Sequence, residues 1–393
     1  MADITPADTT QADTTPAAIA TQFRQWMVDH AAELQPFRSE QGHTMADMYA
    51  HDRGLMHLLD DAGWGRYGWP EWCGGLGGSP VLRGVIHDEL TAAGVHLPEA
   101  YAGLEVIAPM LLKYQPDLAE KLLPLAIRGD EVWCQGFSEP DAGSDLASLR
   151  TRAFDEGDHF RVVGQKTWTS NGHLSSYIAL LVRTGDADSA HRGLTMLWVD
   201  ADSPGITMRP IMCANGREEV SECFFDDVLV PKDRVVGEVG GGWAVVMYLL
   251  QFERGNYAWQ RQAVMHSRLD ETLHWARRHT ESLPPDAAGV IGDAYLTLMS
   301  LRAKARSTMR QLAEGVDLGP EISVDKVLLG VTEQQIEDVV RGLIWPAVEL
   351  DDDHEANITR HRWWYSRITT IYGGAAEVQR DLVAQRVLGL PRA

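Results

Sequence analysis

The stretch Cys134–Gly172, CQGFSEPDAGSDLASLRTRAFDEGDHFRVVGQKTWTSNG, constrains the fold more than any other part of the chain. It opens on a turn-rich run, Ser138-Glu139-Pro140-Asp141-Ala142-Gly143-Ser144-Asp145, and closes on Lys166-Thr167-Trp168-Thr169-Ser170-Asn171-Gly172. Thr151–Ala153, His159–Val163 and Tyr177–Val182 alternate or run apolar between Gly and Asp punctuation, which predicts antiparallel strands joined by tight turns. Ser, Gly and free backbone N–H groups on such loops suit a polar planar ring or a diphosphate, because they donate hydrogen bonds without crowding a ligand. Trp168 would add a flat apolar wall.

The flanking sequence is helical. Phe23, Trp26, Met27 and Ala31 recur at helical spacing in Thr21–Leu34, and Leu55–Ala62 carries a second apolar stripe. A turn-rich segment, Gly63–Pro80, precedes predicted helices at Val81–Ala93, Pro98–Tyr114 and Pro116–Ile127. Further strands are predicted at Gly193–Val199, Ile206–Pro210 and Glu222–Val230, with a hinge at Gly237–Gly242. Helices then follow at Trp243–His279, Asp286–Gly315, Glu321–Trp345, His361–Ile371 and Glu377–Leu388. Blocks of helix, strand and helix define an α+β protein: an N-terminal helical domain over 18–131, a central antiparallel β-domain over 132–238 and a C-terminal domain of four-helix-bundle type over 239–393. Residues 1–17 are polar, lack a basic region before an apolar core and read as a disordered tail.

At 393 residues the chain exceeds one ordinary core. Its formal charge of −21 argues against nucleic acid or an anionic membrane surface as the partner. Cys73, Cys134, Cys213 and Cys223 show no paired spacing and read as reduced packing residues, which points to the cytoplasm. No apolar run approaches the ~18 residues of a membrane span.

Two blocks in order, Cys134–Gly172 and Ile371–Arg392 (IYGGAAEVQRDLVAQRVLGLPR), closely resemble the acyl-CoA dehydrogenase family of flavoenzymes. The resemblance extends from about Gln22 to Arg392 and includes Phe224-Phe225-Asp226-Asp227-Val228 and Val230-Pro231. It implies FAD as cofactor, an acyl-CoA substrate and an electron-transfer flavoprotein as electron acceptor. Gln135, Gly136, Phe137 and Ser138 would lie against the isoalloxazine edge, and Trp168, Thr169 and Ser170 beside its reactive nitrogen and ring face. Gly143 belongs to the same loop, and Ser144 matches a position that meets the pantetheine or phosphate part of the CoA ester. Phe137 stands where the family more often has an aliphatic residue.

Desaturating a thioester needs a base for the proton beside the carbonyl, an acceptor for the hydride leaving the next carbon, and donors for the enolate oxygen. Many members of the family carry the base as a Glu directly before the Gly of the C-terminal block, where this chain has Gly373. Others place it on the helix after the β-domain, where this chain offers Gln251-Phe252-Glu253-Arg254. Leu249, Leu250, Val246 and Tyr257 share the helical face of Glu253, so the carboxylate is expected in apolar surroundings with a raised pKa. The resemblance makes Glu253 the base and the Gly373 N–H a thioester donor. Phe252 and Arg254 would stand on the substrate side, and the missing side chain at Gly373 would leave room for a branched or ring-bearing acyl group.

One half of the pattern is absent. Homotetrameric members usually carry Arg-x-x-Phe-Gly after the long helix and a Gln…Gly-Gly-x-Gly segment further on, both reaching the FAD of a neighbouring subunit. Here those places read Ala276–Ser282 and Leu350-Asp351-Asp352-Asp353-His354-Glu355. Acidic residues beside a diphosphate would be costly. The expectation is a hetero-oligomer in which a paralogous acyl-CoA dehydrogenase chain supplies the missing half, as in bacterial assemblies that shorten steroid side chains. A divergent homomer using Arg277 or Arg278, or loose FAD binding, also fits the sequence. The Asp351–Glu355 cluster reads as solvated, with no metal site.

The function expected is FAD-dependent α,β-dehydrogenation of an acyl-CoA to the 2-enoyl-CoA, with a steroid side-chain or branched substrate. A flavin oxidase or monooxygenase on the same fold, or a non-catalytic partner subunit, are the alternatives.

Overall fold

The computed structural model describes residues 15–38, 44–345, 347–351 and 353–391. The N-terminal helices are α1 (Pro16–Asp29), α2 (Ala31–Leu34), α3 (Met45–Asp61), α4 (Val81–Ala92), α5 (Ala100–Tyr114) and α6 (Pro116–Arg128). The expected tail falls outside the described residues up to residue 14. Thr15 caps α1 by accepting from the Ala18 N–H, so the first helix starts at Pro16, ahead of the Thr21 expected, and ends at Asp29 instead of Leu34. Between α3 and α4 the segment Gly63–Pro80 is the expected loop, tightened by two short 3₁₀ turns. Gly75 sits so close to Trp69 that a Cβ would lie 2.0 Å from its carbonyl oxygen.

Eight strands form one sheet: β1 (Trp133–Gly136), β2 (Arg152–Asp155), β3 (His159–Ser170), β4 (Tyr177–Arg183), β5 (Leu194–Asp200), β6 (Ile206–Ile211), β7 (Val220–Pro231) and β8 (Val235–Val236). Their order is β6-β7-β3-β2-β4-β5-β8, with β1 beside β4. The sheet is mostly antiparallel, with two corrections: β1 pairs parallel with β4, Trp133 opposite Tyr177 through Gly136 opposite Leu180, and β2 meets β4 in parallel where Arg152 lies opposite Arg183. The four residues of β1, followed by the Glu139–Gly143 turn, carry too little alternation to announce that strand.

The sheet is buried on both faces, which is why β4 reads as a continuous apolar run. Ala179, Leu181, Met196 and Trp198 pack against the N-terminal helices, whereas Ile178, Leu180, Leu197 and Val199 face Phe160, Val162, Val228 and Val230 on the other side. A separate apolar core unites the C-terminal helices α7 (Gly242–Arg278), α8 (Ala287–Ala313) and α9 (Ser323–Leu343). Two shorter helices follow, α10 (Ala347–Leu350) and α11 (His354–Ser366), and α12 (Ala376–Leu382) runs into a π turn at Val383–Val387.

The C-terminal boundaries differ from expectation. Asp353 caps α11 by accepting from the Ala356 N–H at 2.8 Å, so this helix begins seven residues before His361. It stops at Ser366 because Thr369 Oγ1 donates to the Ser366 carbonyl at 2.7 Å and turns the chain. Residues 367–375 are therefore a loop, which leaves Gly373 off any helix. Of the acidic cluster before α11, Asp352 and the side chains of His354 and Glu355 lie outside the described residues. No helix among the described residues is long and apolar enough to cross a membrane, and the four cysteines are free.

Helix α7 is the spine of the molecule, and buried polar contacts fix its angle. Arg83 on α4 holds Glu105 on α5 through bonds of 2.6 and 2.9 Å, and Asn256 Nδ2 donates to the same carboxylate at 3.2 Å. Trp259 Nε1 donates to the Gly84 carbonyl at 2.9 Å, where a Cβ on Gly84 would come within 2.6 Å of the indole nitrogen. Arg83→Met leaves Glu105 as a buried charge without its cation, and a loss of about 3–5 kcal/mol is expected. Chemical denaturation of the variant measures it.

Candidate active site

The two loops singled out in the sequence are brought side by side. The Thr167 N–H donates to the Ser138 carbonyl at 2.9 Å, which sets the run Gln135–Ser138, the end of β1 and the two residues after it, against Trp168–Ser170 at the end of β3. The turn between Ser138 and Asp145 is anchored from beneath by an ion pair. Lys166 Nζ reaches Glu139 at 2.8 Å and the Phe137 carbonyl at 3.0 Å, while Glu139 also accepts the N–H groups of Arg150 and Thr151. Burial pushes the Glu139 carboxyl up, but Lys166 and these donors outweigh it and hold the group below its usual range. Burial also pulls the Lys166 ammonium down to about 8, against the opposing pull of Glu139. Gly143 and Ser144 lie exposed on the turn so anchored, and a Cβ at Gly143 would meet open space.

Trp168 adopts φ of 59° and is 63% exposed. A bulky residue in the left-handed region costs on the order of 1–3 kcal/mol, and an indole facing solvent forgoes its burial. The cause lies in the pairing of β3 with β7, whose register shifts between Lys166 and Thr169 and turns the indole outward. Phe137 is buried, whereas Ser138 keeps part of its surface open and Ser170 is exposed.

Glu253 lies at the middle of α7. A Cβ built on Gly373 would fall 2.6 Å from Glu253 Oε1 and 3.1 Å from Lys326 Cε, so the carboxylate occupies the space beside the glycine. This corrects the steric expectation: the side chain missing at Gly373 makes room for Glu253 itself. Gly373 has φ of 63° and Gly374 of 100°, backbone conformations that a side chain opposes.

The surroundings of Glu253 are less apolar than the helical pattern implies. Burial raises its pKa, and Arg254, Lys326 and the Gln135 amide pull it back down. Lys326 donates to the Thr369 carbonyl, holding the loop that carries Gly373, and its ammonium sits 4.6 Å above the Tyr372 ring. Burial brings this lysine to about 8. Arg254 is packed toward Gly374, and its Nε is buried without a partner. Phe252 meets Tyr248 edge-on at 5.1 Å.

Gln135, Glu253 and Gly373 thus converge from the sheet, the long helix and the C-terminal loop, with Trp168 near the end of β3. Sequence reasoning missed Lys326, the Glu139–Lys166 anchor, and a tyrosine cluster described below. The signal for Lys326 is a lone cation on the apolar face of α9; Lys166 sits likewise inside a strand.

Comparison with known proteins agrees with this architecture. The model of the acyl-CoA dehydrogenase middle domain matches residues 134–228, and that of the acyl-CoA dehydrogenase C-terminal domain matches residues 240–388. The chain belongs to the acyl-CoA dehydrogenase family of oxidoreductases, whose members generally bind FAD. It is 35% identical to the acyl-CoA dehydrogenase IpdE1 of Mycobacterium tuberculosis over 94% of this chain and 97% of the relative. The acyl-CoA dehydrogenase IpdE1 of Mycolicibacterium smegmatis is 32% identical, with coverage of 92% and 98%.

Among solved structures, a variant of the Tcur3481-Tcur3483 steroid ACAD superposes with a TM-score of 0.83 at 29% identity, covering 96% of this chain and all of the other. The ChsE4-ChsE5 complex from Mycobacterium tuberculosis superposes with a TM-score of 0.80 at 26% identity, covering 96% and 98%. The latter is named as a complex of ChsE4 with ChsE5.

Proposed function

We propose that the chain catalyses α,β-dehydrogenation of a bulky acyl-CoA, with Glu253 as the base. The observation that carries this reading is the fit between Glu253 and Gly373, in which the carboxylate from α7 fills the place that a side chain at residue 373 would take. Burial places its pKa above that of a free glutamate, which suits a base acting near neutral pH. Glu253 would remove the proton beside the thioester carbonyl, and the Gly373 N–H would donate to the thioester oxygen as negative charge develops there.

The loops fit a flavin. Trp168 offers an exposed flat face, and Ser138 and Ser170 flank it with hydroxyls, so strain and exposure that are unfavourable in the chain alone are compensated by a stacked polar ring. FAD, when bound there, supplies the hydride acceptor. The reading for Ser144, Phe252 and Arg254 is contact with the CoA ester; the orphaned Arg254 Nε supports a polar ligand atom near it.

The steroid ACAD neighbours support a ring-bearing substrate, and the ChsE4-ChsE5 complex supports a hetero-oligomer with a paralogous chain completing the FAD site. Electrons would pass to an electron-transfer flavoprotein. Arg277 and Arg278 are exposed at the end of α7 and are the residues a homomer would use instead. FAD content per chain, measured on this protein alone and co-expressed with a paralogous dehydrogenase chain, decides between them. Flavin retained only in the mixed complex is the expected result; one FAD per chain in the lone protein would refute the heteromer.

The reaction needs Glu253 ionised, so kcat/KM rises with pH through its pKa. Lys326 lowers that pKa. Lys326→Met therefore moves the acid limb of the kcat/KM profile to higher pH, which a pH series on the purified variant measures.

A further inference from the structure

Two polar turns of α7 beyond Glu253 lead to a cluster that the reaction does not use. Tyr257 follows Glu253 by one helical turn and Arg261 by two, a rise of about 6 and 12 Å along the axis. Tyr257 Oη meets Tyr365 Oη at 3.1 Å and Tyr372 Oη at 3.3 Å, so three hydroxyls from α7, α11 and the loop before Gly373 gather at one point. All three residues are largely packed but keep part of their surface accessible.

Counting protons shows what the cluster lacks. Three hydroxyls supply three donors, and the two oxygen contacts consume two of them. No other hydrogen bond of these hydroxyls is found among the described residues, so one O–H is left to donate to an acceptor outside the cluster. The arginine behind the cluster already has a carboxylate partner. Arg261 lies 5.3 Å from the Tyr365 ring centroid and is bound in a buried ion pair by Glu333. Glu219 also faces Arg261 and Tyr365. Lys326, above the Tyr372 ring, is held by the Thr369 carbonyl and faces both Glu253 and Glu333, so a carboxylate ligand would compete with Glu219, Glu253 and Glu333 for the cations here, whereas a neutral oxygen needs only the spare donor.

We infer that the Tyr257, Tyr365 and Tyr372 hydroxyls recognise a neutral oxygen, a ketone or a hydroxyl, on the part of the acyl group remote from the thioester. The inference rests on the acyl-CoA reading above. It makes the substrate an oxygenated, ring-bearing ester, and the tyrosines its specificity residues.

The test compares three bicyclic acyl-CoA esters of one skeleton, bearing a ketone, no oxygen, or a carboxylate at the remote ring, on the FAD-loaded oligomer. The ketone is expected to exceed the unsubstituted ester in kcat/KM by roughly 10- to 100-fold, and the carboxylate to be the poorest of the three. In Tyr257→Phe and Tyr365→Phe the ketone preference should fall to within about threefold. Dissociation constants of the corresponding 2-enoyl products, by calorimetry, should lose the same preference. Absence of discrimination in the wild type, discrimination unchanged in both variants, or the carboxylate as best substrate would each overturn the inference while leaving dehydrogenation intact. Failure of all three esters to reduce the flavin would instead overturn the dehydrogenase reading and this inference with it.

Discussion

Glu253→Gln lowers the rate of acyl-CoA desaturation by about 10²–10⁴-fold, the span expected when a positioned general base is removed. The amide has nearly the shape of the carboxylate, so it still fits beside Gly373 and Lys326 and the fold is retained. A neutral side chain also relieves the burial cost that raises the pKa of Glu253, and the variant should unfold at the same temperature as the parent or above it. Glu253→Asp keeps the charge but shortens the reach by one carbon, and a smaller loss is expected. Steady-state turnover with a matched flavin spectrum separates lost chemistry from lost cofactor. Turnover within tenfold of the parent in the Gln variant would show that the base lies elsewhere.

Gly373→Ala acts on the same atom from the opposite side. The new methyl group would lie 2.6 Å from Glu253 Oε1, well inside contact distance, and the residue must also keep φ of 63°. The carboxylate ends a flexible chain and can move away, so the cost to stability is modest, about 1–2 kcal/mol from the left-handed backbone. The cost to catalysis is larger, because a displacement near 1 Å at a reacting group costs on the order of 10²-fold. The expected signature is a fall in kcat with the melting temperature only slightly lowered. A fall confined to KM would show that Gly373 shapes substrate binding without touching the base.

The contrast between these residues shows how far the sequence reached. Ser138, Trp168 and Glu253 were singled out through the family resemblance of the runs that hold them, and the helical pattern of α7 added apolar neighbours around Glu253. The fold class was legible from pattern alone, since blocks of helical and alternating periodicity follow one another along the chain. The fit of Glu253 against Gly373 was not, because it joins residues 120 positions apart. Lys326 and the three tyrosines were hidden likewise, each unremarkable within its own segment and significant only where α7, α9, α11 and the C-terminal loop meet. The early start of α11 was missed because its cap, Asp353, sits in a run of acids that reads as solvated loop. The parallel pairing of β1 escaped because a short strand is defined by its neighbour.

Dehydrogenation with Glu253 as base removes two hydrogens from the acyl-CoA, the proton to Glu253 and the hydride to the flavin. The most direct measurement is anaerobic mixing of the FAD-loaded enzyme with a ring-bearing acyl-CoA, following the flavin absorbance and the mass of the ester together. The account predicts bleaching of the flavin with appearance of an ester lighter by two hydrogens, and neither change in Glu253→Gln. An ester of unchanged mass with oxidised flavin, or a product that has gained oxygen once air is admitted, would contradict it.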